Sequence, residues 1–351
     1  MTYIAKPVAR HPRMRTNALG LTPRDYEGTI STLCAGCGHD SVTAALIQAF
    51  FELDVEPHRV AKLSGIGCSS KTPAYFIREA HGFNSVHGRM PSIATGANAA
   101  NRDLMYVGIS GDGDSLSIGL GQLCHAIRRN VNMLYVLENN GVYGLTKGQF
   151  SASADVGSRS KKGEINRQGP IDPVNVALSL GATFVARSFS GDKRQLVPIL
   201  KAALTHTGFA LVDVISPCVT FNDHKGSTKS YAHTRFHMNE VVETDFVPLR
   251  SEITTDYDEG ATQSVTMHDG SVVRFRKVAQ DYDPTDRGAV LEHLRESRNK
   301  DEVATGLLYL EETGEDMHDV ENTTKTPLVD VPYEALCPGS DVLAELQKEW
   351  W

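Results

Sequence analysis

Two apolar runs constrain this chain more than anything else in it. Leu104 to Ser110 (LMYVGIS) and Val131 to Leu137 (VNMLYVL) carry no charge and no regular alternation of polar with apolar residues. A strand of that kind is buried on both faces, which happens almost only in a parallel sheet covered by helices on either side. The surrounding pattern agrees. Val60 to Ile66 and Thr183 to Ala186 read as further short strands, and Phe209 to Ser216 (FALVDVIS) as another buried one. Between them lie helical spacings: Asp40 to Leu53 with Asp40 or Ser41 as N-cap, Pro91 to Asp103, Ser115 to Arg129, Val174 to Leu180 and Lys193 to His206. Such alternation is expected to give an α/β fold, a doubly wound parallel sheet.

Each defining run ends in a polar turn. The first ends in Gly111-Asp112-Gly113-Asp114, the second in Asn139-Asn140-Gly141-Val142-Tyr143-Gly144. Glycines let the backbone turn sharply and approach a ligand closely. The helix that follows the first turn offers its N-terminus to phosphate. Open α/β sheets bind ligands at the carboxyl ends of their strands, which is where Asp112 and Asn140 fall. Mg²⁺ takes oxygen ligands and shares them with substrate phosphates. The Asp112 carboxylate, the Asn140 amide oxygen and a loop carbonyl near Val142 would make such a set. Either turn alone is an ordinary loop signal; the pair, at the ends of adjacent strands, points to a metal–diphosphate site.

The chain has 351 residues and six cysteines, too few for a disulfide scaffold. Cys34-Ala35-Gly36-Cys37 is a C-x-x-C, Cys68 follows a strand in GIGCSSK, and Cys218 ends the last buried strand. Strand ends gather on one edge of a parallel sheet, so these four are expected to converge. Four thiolates suit zinc or an iron–sulfur cluster, and the C-x-x-C alone suits redox chemistry. Spacing does not choose between zinc and cluster. Cys124, inside an amphipathic helix, reads as a buried inert thiol, and Cys337 shows no partner.

The pieces CAGCGH, GIGCSSK, HGRMPSIATGAN, GDGD and NNGVYGLTKGQ follow one another here. The GDG and NN pair resembles the thiamine diphosphate motif. The whole series resembles the β subunit of 2-oxoacid:ferredoxin oxidoreductases, from about Thr32 to about Asn222. That resemblance implies Mg²⁺ on Asp112, Asn140 and the Val142 carbonyl, and one [4Fe–4S] cluster on Cys34, Cys37, Cys68 and Cys218. It implies thiamine diphosphate contacts from Ile66, Gly67, Cys68, Ser69, Gly111, Gly113, Asp114, Gly144, Leu145 and Thr146. Lys71, His87 and Lys147 become candidates for substrate or diphosphate binding, with Arg89 beside His87. The implied reaction converts a 2-oxoacid and CoA to acyl-CoA and CO₂ while reducing ferredoxin, with the thiamine ring as electron sink. The openings YEGTISTLCAGCGH and HGRMPSIATGAN look most like 2-oxoglutarate-type subunits; pyruvate or a broad range of 2-oxoacids is the alternative. A non-redox thiamine enzyme subunit with structural zinc is a further alternative. Thiamine enzymes also need a glutamate from a pyrimidine-binding domain, and no second α/β domain is evident in residues 220–351. An α subunit is therefore expected to supply it, in an (αβ)₂ heterotetramer.

Composition closes other classes. A net charge of −8 argues against nucleic acid, and no apolar run is long enough to cross a bilayer. The basic N-terminus lacks an apolar signal core, so the cytoplasm is the expected location. Three regions are expected: an N-terminal arm (1–29), free or wrapped on a partner; the cofactor domain (30–222); and a C-terminal extension (223–351). In the extension, Ser264 to Lys277 reads as a hairpin turning at Asp269-Gly270 and Arg287 to Arg298 as a helix. The acidic Glu311 to Glu321 reads as solvated and as repelling an acidic ferredoxin. Trp350-Trp351 is expected to pack on its own chain or to dock on a partner subunit.

Overall fold

The buried runs lie side by side. The computed structural model describes residues 13–160, 162–243, 262–266, 272–276, 282–311, 313–337 and 339–350. In chain order its elements are helix α1 (Gly38–Glu52), strands β1 (Val60–Ser64) and β2 (His81–Asn84), α2 (Met90–Ala100), β3 (Met105–Gly111), α3 (Leu120–Arg128) and β4 (Met133–Asn139). A small ribbon follows, β5 (Val142–Tyr143) with β6 (Gln149–Phe150). Then come α4 (Pro173–Ser179), β7 (Phe184–Phe189), α5 (Lys193–Thr205), β8 (Phe209–Ile215), α6 (Tyr231–His237) and β9 (Met238–Val242). The last are the hairpin β10 (Thr262–Thr266) and β11 (Val272–Arg276), α7 (Arg287–Asn299), β12 (Val303–Leu310), and the short helices α8 (Met317–Val320), α9 (Tyr333–Leu336) and α10 (Ser340–Lys348).

The main sheet has eight strands in the order β2-β1-β3-β4-β8-β7-β12-β9. All neighbours are parallel except β12 against β7. Helices α1 and α5 bury Val42, Leu46, Leu196 and Leu200 on one face. Helices α2, α3, α4 and α7 bury Ala94, Leu123, Val174 and Val290 on the other. This is the expected doubly wound sandwich, its strands apolar on both sides because both sides are covered.

Register does the work of assembly. Ser64 pairs with Ile109, Gly111 with Glu138, and Asn139 with Ile215. The loops after β1, β3, β4 and β8 therefore leave the sheet on one edge. Those loops carry Cys68, Asp112, Asn140 and Cys218.

Several local expectations need correction. Helix α1 begins at Gly38, so its N-cap is Cys37, with Asp40 already inside the first turn. The helix after the GDG is broken: Gly113–Ile118 forms a π-helical turn that ends at Gly119 before α3 starts. A Cβ at Gly119 would meet the Asp114 and Gly88 carbonyl oxygens at 2.8 Å, so the tight approach of the His87 loop sets the break. The part of the N-terminal arm that is described belongs to the body. Tyr26 is fully buried, meets Phe51 edge-on and donates to Val55 O, and Glu27 bridges to Phe76. The extension also contributes to the main sheet through β9 and β12. Its acidic run is not simply solvated, since Asp316 caps α8 and Met317 and His318 are buried. The hairpin and the helix Arg287–Asn299 match expectation; Asp269-Gly270 and Trp351 lie outside the described residues. Trp350 is 86% exposed and so does not pack on its own chain.

Candidate functional site

The turn after β3 and the turn after β4 interlock. Asp112 is buried, and its carboxylate accepts hydrogen bonds from the Gly141 N–H at 3.0 Å and, more weakly, the Asn140 N–H at 3.4 Å. The hydroxyls of Ser151 and Ser153 donate to the same carboxylate. Burial raises the Asp112 pKa, and these donors oppose the rise by favouring the anion. Gly141 sits at φ +75°, a conformation that brings its N–H onto Asp112 at little steric cost. The Asn140 Oδ1 accepts from the Val142 N–H at 3.0 Å, which folds the turn and fixes the amide. Ser153 Oγ lies 2.9 Å from Asn139 Oδ1, and Asn139 Nδ2 donates to Asp213 at 3.0 Å. Arg187 holds Asp213 and Asp172 at 2.7 and 2.6 Å. The first asparagine of the pair thus braces Asp112 from behind while the second faces forward.

In front of this clamp lies a cavity of about 470 Å³. Ile66, Gly67, Cys68, Ser69, His87, Gly111 to Asp114, Asn140, Val142, Gly144, Leu145 and Thr146 line it, with Tyr143 as an addition the sequence did not flag. Gly113 is required there because a Cβ would sit 2.6 Å from the Tyr143 ring. Asp114 has a supporting part: its Oδ1 takes the Gly88 N–H at 2.9 Å and the His87 Nδ1 at 3.1 Å, and its Oδ2 takes the Ser110 hydroxyl. It therefore pins the loop that carries His87. A larger cavity, about 890 Å³, lies behind the clamp around Arg187 and Asp172. It is open, its charged groups Asp155, Asp172, Arg187, Asp213, Lys229 and Arg298 are already ion-paired, and it meets the clamp only through Asn139 and Ser153, so the smaller cavity is the better candidate for chemistry.

Cys34, Cys37, Cys68 and Cys218, all free thiols, line a second cavity of about 450 Å³. The Cys37 N–H donates to Cys34 O at 2.9 Å, and the Cys218 carbonyl accepts from Phe221 and Asn222, so two tight turns aim the sulfurs inward. A Cβ on Gly144 would lie 3.4 Å from Cys68 Sγ and 3.7 Å from Cys218 Sγ; glycine keeps that floor clear. Burial pushes the Cys37 thiol up to about 12 and raises Cys68 and Cys218 as well, with the Lys71 ammonium opposing at Cys68. Among the described residues no three His, Cys, Asp or Glu side chains are placed to hold a single metal ion. A lone zinc draws its four sulfurs to about 3.8 Å from one another. The walls around the four thiols include the apolar Leu33, Val219 and Phe221. Four thiols are a donor set that a four-iron cluster accepts. Cys124 and Cys337 touch neither cavity.

The two cavities share a wall made of Cys68, Asn140 and Gly144. Behind it lie two residues that sequence reasoning missed. His39 is fully buried, with Nδ1 2.6 Å from Ser216 Oγ and 3.4 Å from Glu138 Oε2. Its Nε2 lies 3.4 Å from both Ser69 Oγ and the Asn140 amide. Glu138, also fully buried, accepts from Thr72 Oγ1 at 3.1 Å. Burial lowers His39 to about 4 and raises Glu138 well above the carboxylate range, so both favour their neutral forms. A carboxylate inside an otherwise apolar strand, immediately before the NN, was the available signal.

The remaining candidates separate. Lys71 is half-buried and lines the thiol cavity rather than the clamp cavity. His87 is half-exposed at the mouth of the clamp cavity. Lys147 is exposed at φ +80° and lines neither cavity, and Arg89 is exposed beside Gly88. The structure separates all three: Lys71 on the thiol cavity, His87 at the mouth of the clamp cavity and Lys147 on neither.

Residues 65–214 match the family model described as thiamine pyrophosphate enzyme, C-terminal TPP binding domain. The chain is 45% identical over 192 residues to the 2-oxoglutarate oxidoreductase subunit KorB of Mycobacterium tuberculosis, covering 54% of this chain and 51% of that protein. It thus spans about half the length of that relative. It is 42% identical over 205 residues to the 2-oxoacid:ferredoxin oxidoreductase subunit beta of Saccharolobus solfataricus, covering 58% of this chain and 67% of that one. A solved structure, 2-oxoglutarate:ferredoxin oxidoreductase from Magnetococcus marinus with 2-oxoglutarate, coenzyme A and succinyl-CoA bound, superposes with a TM-score of 0.70 at 31% identity. That match covers 89% of this chain and 90% of the other.

Proposed function

Because this chain belongs to the family of 2-oxoacid:ferredoxin oxidoreductase β subunits, we propose that it is the β subunit of a 2-oxoglutarate:ferredoxin oxidoreductase. The proposed reaction is 2-oxoglutarate, CoA and two oxidised ferredoxins to succinyl-CoA, CO₂, two reduced ferredoxins and the proton released from the CoA thiol. The observation that carries this reading is the shared wall: a metal–diphosphate clamp and a four-thiol cavity meet at Cys68, Asn140 and Gly144. A non-redox thiamine enzyme has no need of an electron outlet there. When bound, thiamine diphosphate would supply the electron sink for decarboxylation and a [4Fe–4S] cluster the one-electron outlet.

The chain's own residues have the following parts. Asp112, Asn140 and the Val142 carbonyl would hold Mg²⁺, with Ser151, Ser153 and the Gly141 N–H keeping the carboxylate aimed and opposing the rise that burial imposes on its pKa. Cys34, Cys37, Cys68 and Cys218 would ligate the cluster. Leu145, Thr146 and Tyr143 line the same cavity. Lys71 sets a positive charge close to Cys68, suited to a substrate carboxylate. His87, fixed through Asp114, can donate to an anionic group at the mouth. Glu138 is turned to Thr72 and His39 and does not line the clamp cavity, and the two carboxylates that do, Asp112 and Asp114, are taken by the chain's own donors. An α subunit would bring the glutamate that activates the thiamine ring and complete an (αβ)₂ assembly. Among the described residues no helix is long and apolar enough to cross a membrane, and the reading places the enzyme in the cytoplasm.

The test is to purify the αβ complex without oxygen and follow CoA-dependent reduction of methyl viologen with 2-oxoglutarate and with pyruvate. A brown complex, active with 2-oxoglutarate, is expected. A colourless, zinc-loaded complex overturns the redox reading, and activity with pyruvate alone overturns the substrate.

A further inference from the structure

From His224 to Asn239 the chain has no aspartate or glutamate, yet carries Lys225, Lys229 and Arg235 with His224, His233 and His237. In a chain of net charge −8 this is a local reversal of sign. The fold sets the segment directly beside the thiol cavity. It begins six residues after Cys218, and the Tyr231 hydroxyl donates to the Gly36 carbonyl, inside the C-x-x-C turn, at 3.1 Å. Cys34, on that same turn, is exposed, so the thiol cavity reaches the surface next to this segment.

The charges differ in what they do. Lys229 is taken by Asp155 at 3.1 Å, Asp223 accepts the Tyr231 N–H, and His237 lies 3.7 Å from Asp301. Those contacts brace the segment. Lys225 and Arg235 point outward; among the described residues neither forms an ion pair, and Arg235 rests 5.9 Å over the Tyr231 ring. Next to Arg235, Phe236 is 87% exposed. Lys225 and Phe236, with His224, His233 and Ser230, line an open dish whose one carboxylate, Asp223, accepts the Tyr231 N–H; Arg235 lies outside the dish, next to Phe236 in the chain. Exposed cations around one protruding aromatic, on a face leading to the redox cavity, suit a small acidic protein. The cations would steer encounter and fix orientation, and the aromatic would supply the desolvated anchor.

We propose that the face formed by Lys225, Arg235 and Phe236 is where the acidic one-electron carrier docks on the β subunit. This rests on the function proposed above and adds the place of electron exit. The acidic run near Glu311 does not serve, because it would repel such a partner.

The test uses the αβ complex carrying Lys225→Glu with Arg235→Glu, and separately Phe236→Ser. Binding of an acidic [4Fe–4S] ferredoxin to immobilised complex is measured alongside viologen and ferredoxin reduction. Charge reversal is expected to weaken ferredoxin binding and raise its KM by about tenfold or more at low salt, with the gap closing as salt screens the charges. The Phe236→Ser complex is expected to weaken binding without changing the salt slope. Viologen reduction stays at the wild-type rate in both, which shows the site intact. Unchanged ferredoxin binding in the charge-reversed complex overturns the docking face while leaving the function standing. Failure of the charge-reversed chain to co-purify with its α subunit also overturns it, since the face would then be a subunit interface. A wild-type complex that reduces neither acceptor removes the function and the docking face together.

Discussion

The clamp around Asp112 and the cavity of the four thiols share a wall, yet they are built in opposite ways. The side chains of the clamp are already engaged: Asp112 by two hydroxyls and two N–H groups, Asn140 by Val142, Asn139 by Asp213. The clamp is therefore formed before any ligand arrives, and the chain itself has met the cost of burying a carboxylate. The thiols are aimed by backbone turns only, and three of them are held protonated by burial. That cavity gains its full set of contacts only when a metal group displaces the protons. A polar site can be preorganised by its neighbours, whereas a thiol site is completed by its cargo.

If that contrast holds, Asp112→Ala has the largest effect: thiamine diphosphate retention and activity are lost while absorbance at about 400 nm persists. Loss of both would show the two cavities to be one cooperative unit. Next is Cys68→Ser, which lies on the shared wall. We expect the cluster absorbance and ferredoxin reduction to disappear, with thiamine diphosphate affinity falling by no more than about tenfold; equilibrium binding in the presence of Mg²⁺ checks it. Ser153→Ala probes preorganisation alone. It should weaken Mg²⁺-dependent cofactor binding by roughly 10–100-fold at unchanged visible spectrum, and a twofold change would mean that Asp112 does not depend on its hydroxyl donors.

Two smaller effects lie outside both cavities. His206, beside Phe184 and 2.8 Å from Thr183 Oγ1, is lowered to about 4 by burial. Its folded pKa is below its unfolded value, so between pH 6.5 and about 4 the unfolded chain binds more protons and stability falls as the pH falls. His206→Gln should flatten that loss by on the order of 1–2 kcal/mol, seen as a shallower drop in denaturation midpoint with acid. Trp350→Ala should change the stability of the isolated chain by less than about 0.5 kcal/mol, because the ring is exposed. Weaker association with the α subunit in the same variant would give that tryptophan a docking role.

Much of the site was legible because its signals are local. An apolar run followed by GDG or NN marks a strand end in any parallel sheet, and five motifs in fixed order carried the family. What escaped depended on long-range neighbours. His39 falls between the C-x-x-C and the expected helix start, with no local signal of a role; only the pairing of Gly111 with Glu138 and Asn139 with Ile215 sets it against Glu138, Ser216 and Asn140. Ser151 and Ser153 lie in a stretch with no periodicity, and nothing local aims them at Asp112. Strand β12 was missed because its partner β7 stands more than a hundred residues earlier, and the edge strand β2 (HGFN) is too short and polar to stand out.

Sequence by itself determined the alternation of strands and helices, the four cysteines, and the Asp112 and Asn140 pair, since each is set by residue type and nearby spacing. The tertiary structure decided how those pieces serve one another. Strand order and register put four loops on one edge, let Gly144 and Cys68 face two cavities at once, and set a basic segment beside the thiols. Those are relations between residues far apart in the chain, and only packing of the sheet between its two helical layers brings them within hydrogen-bonding distance.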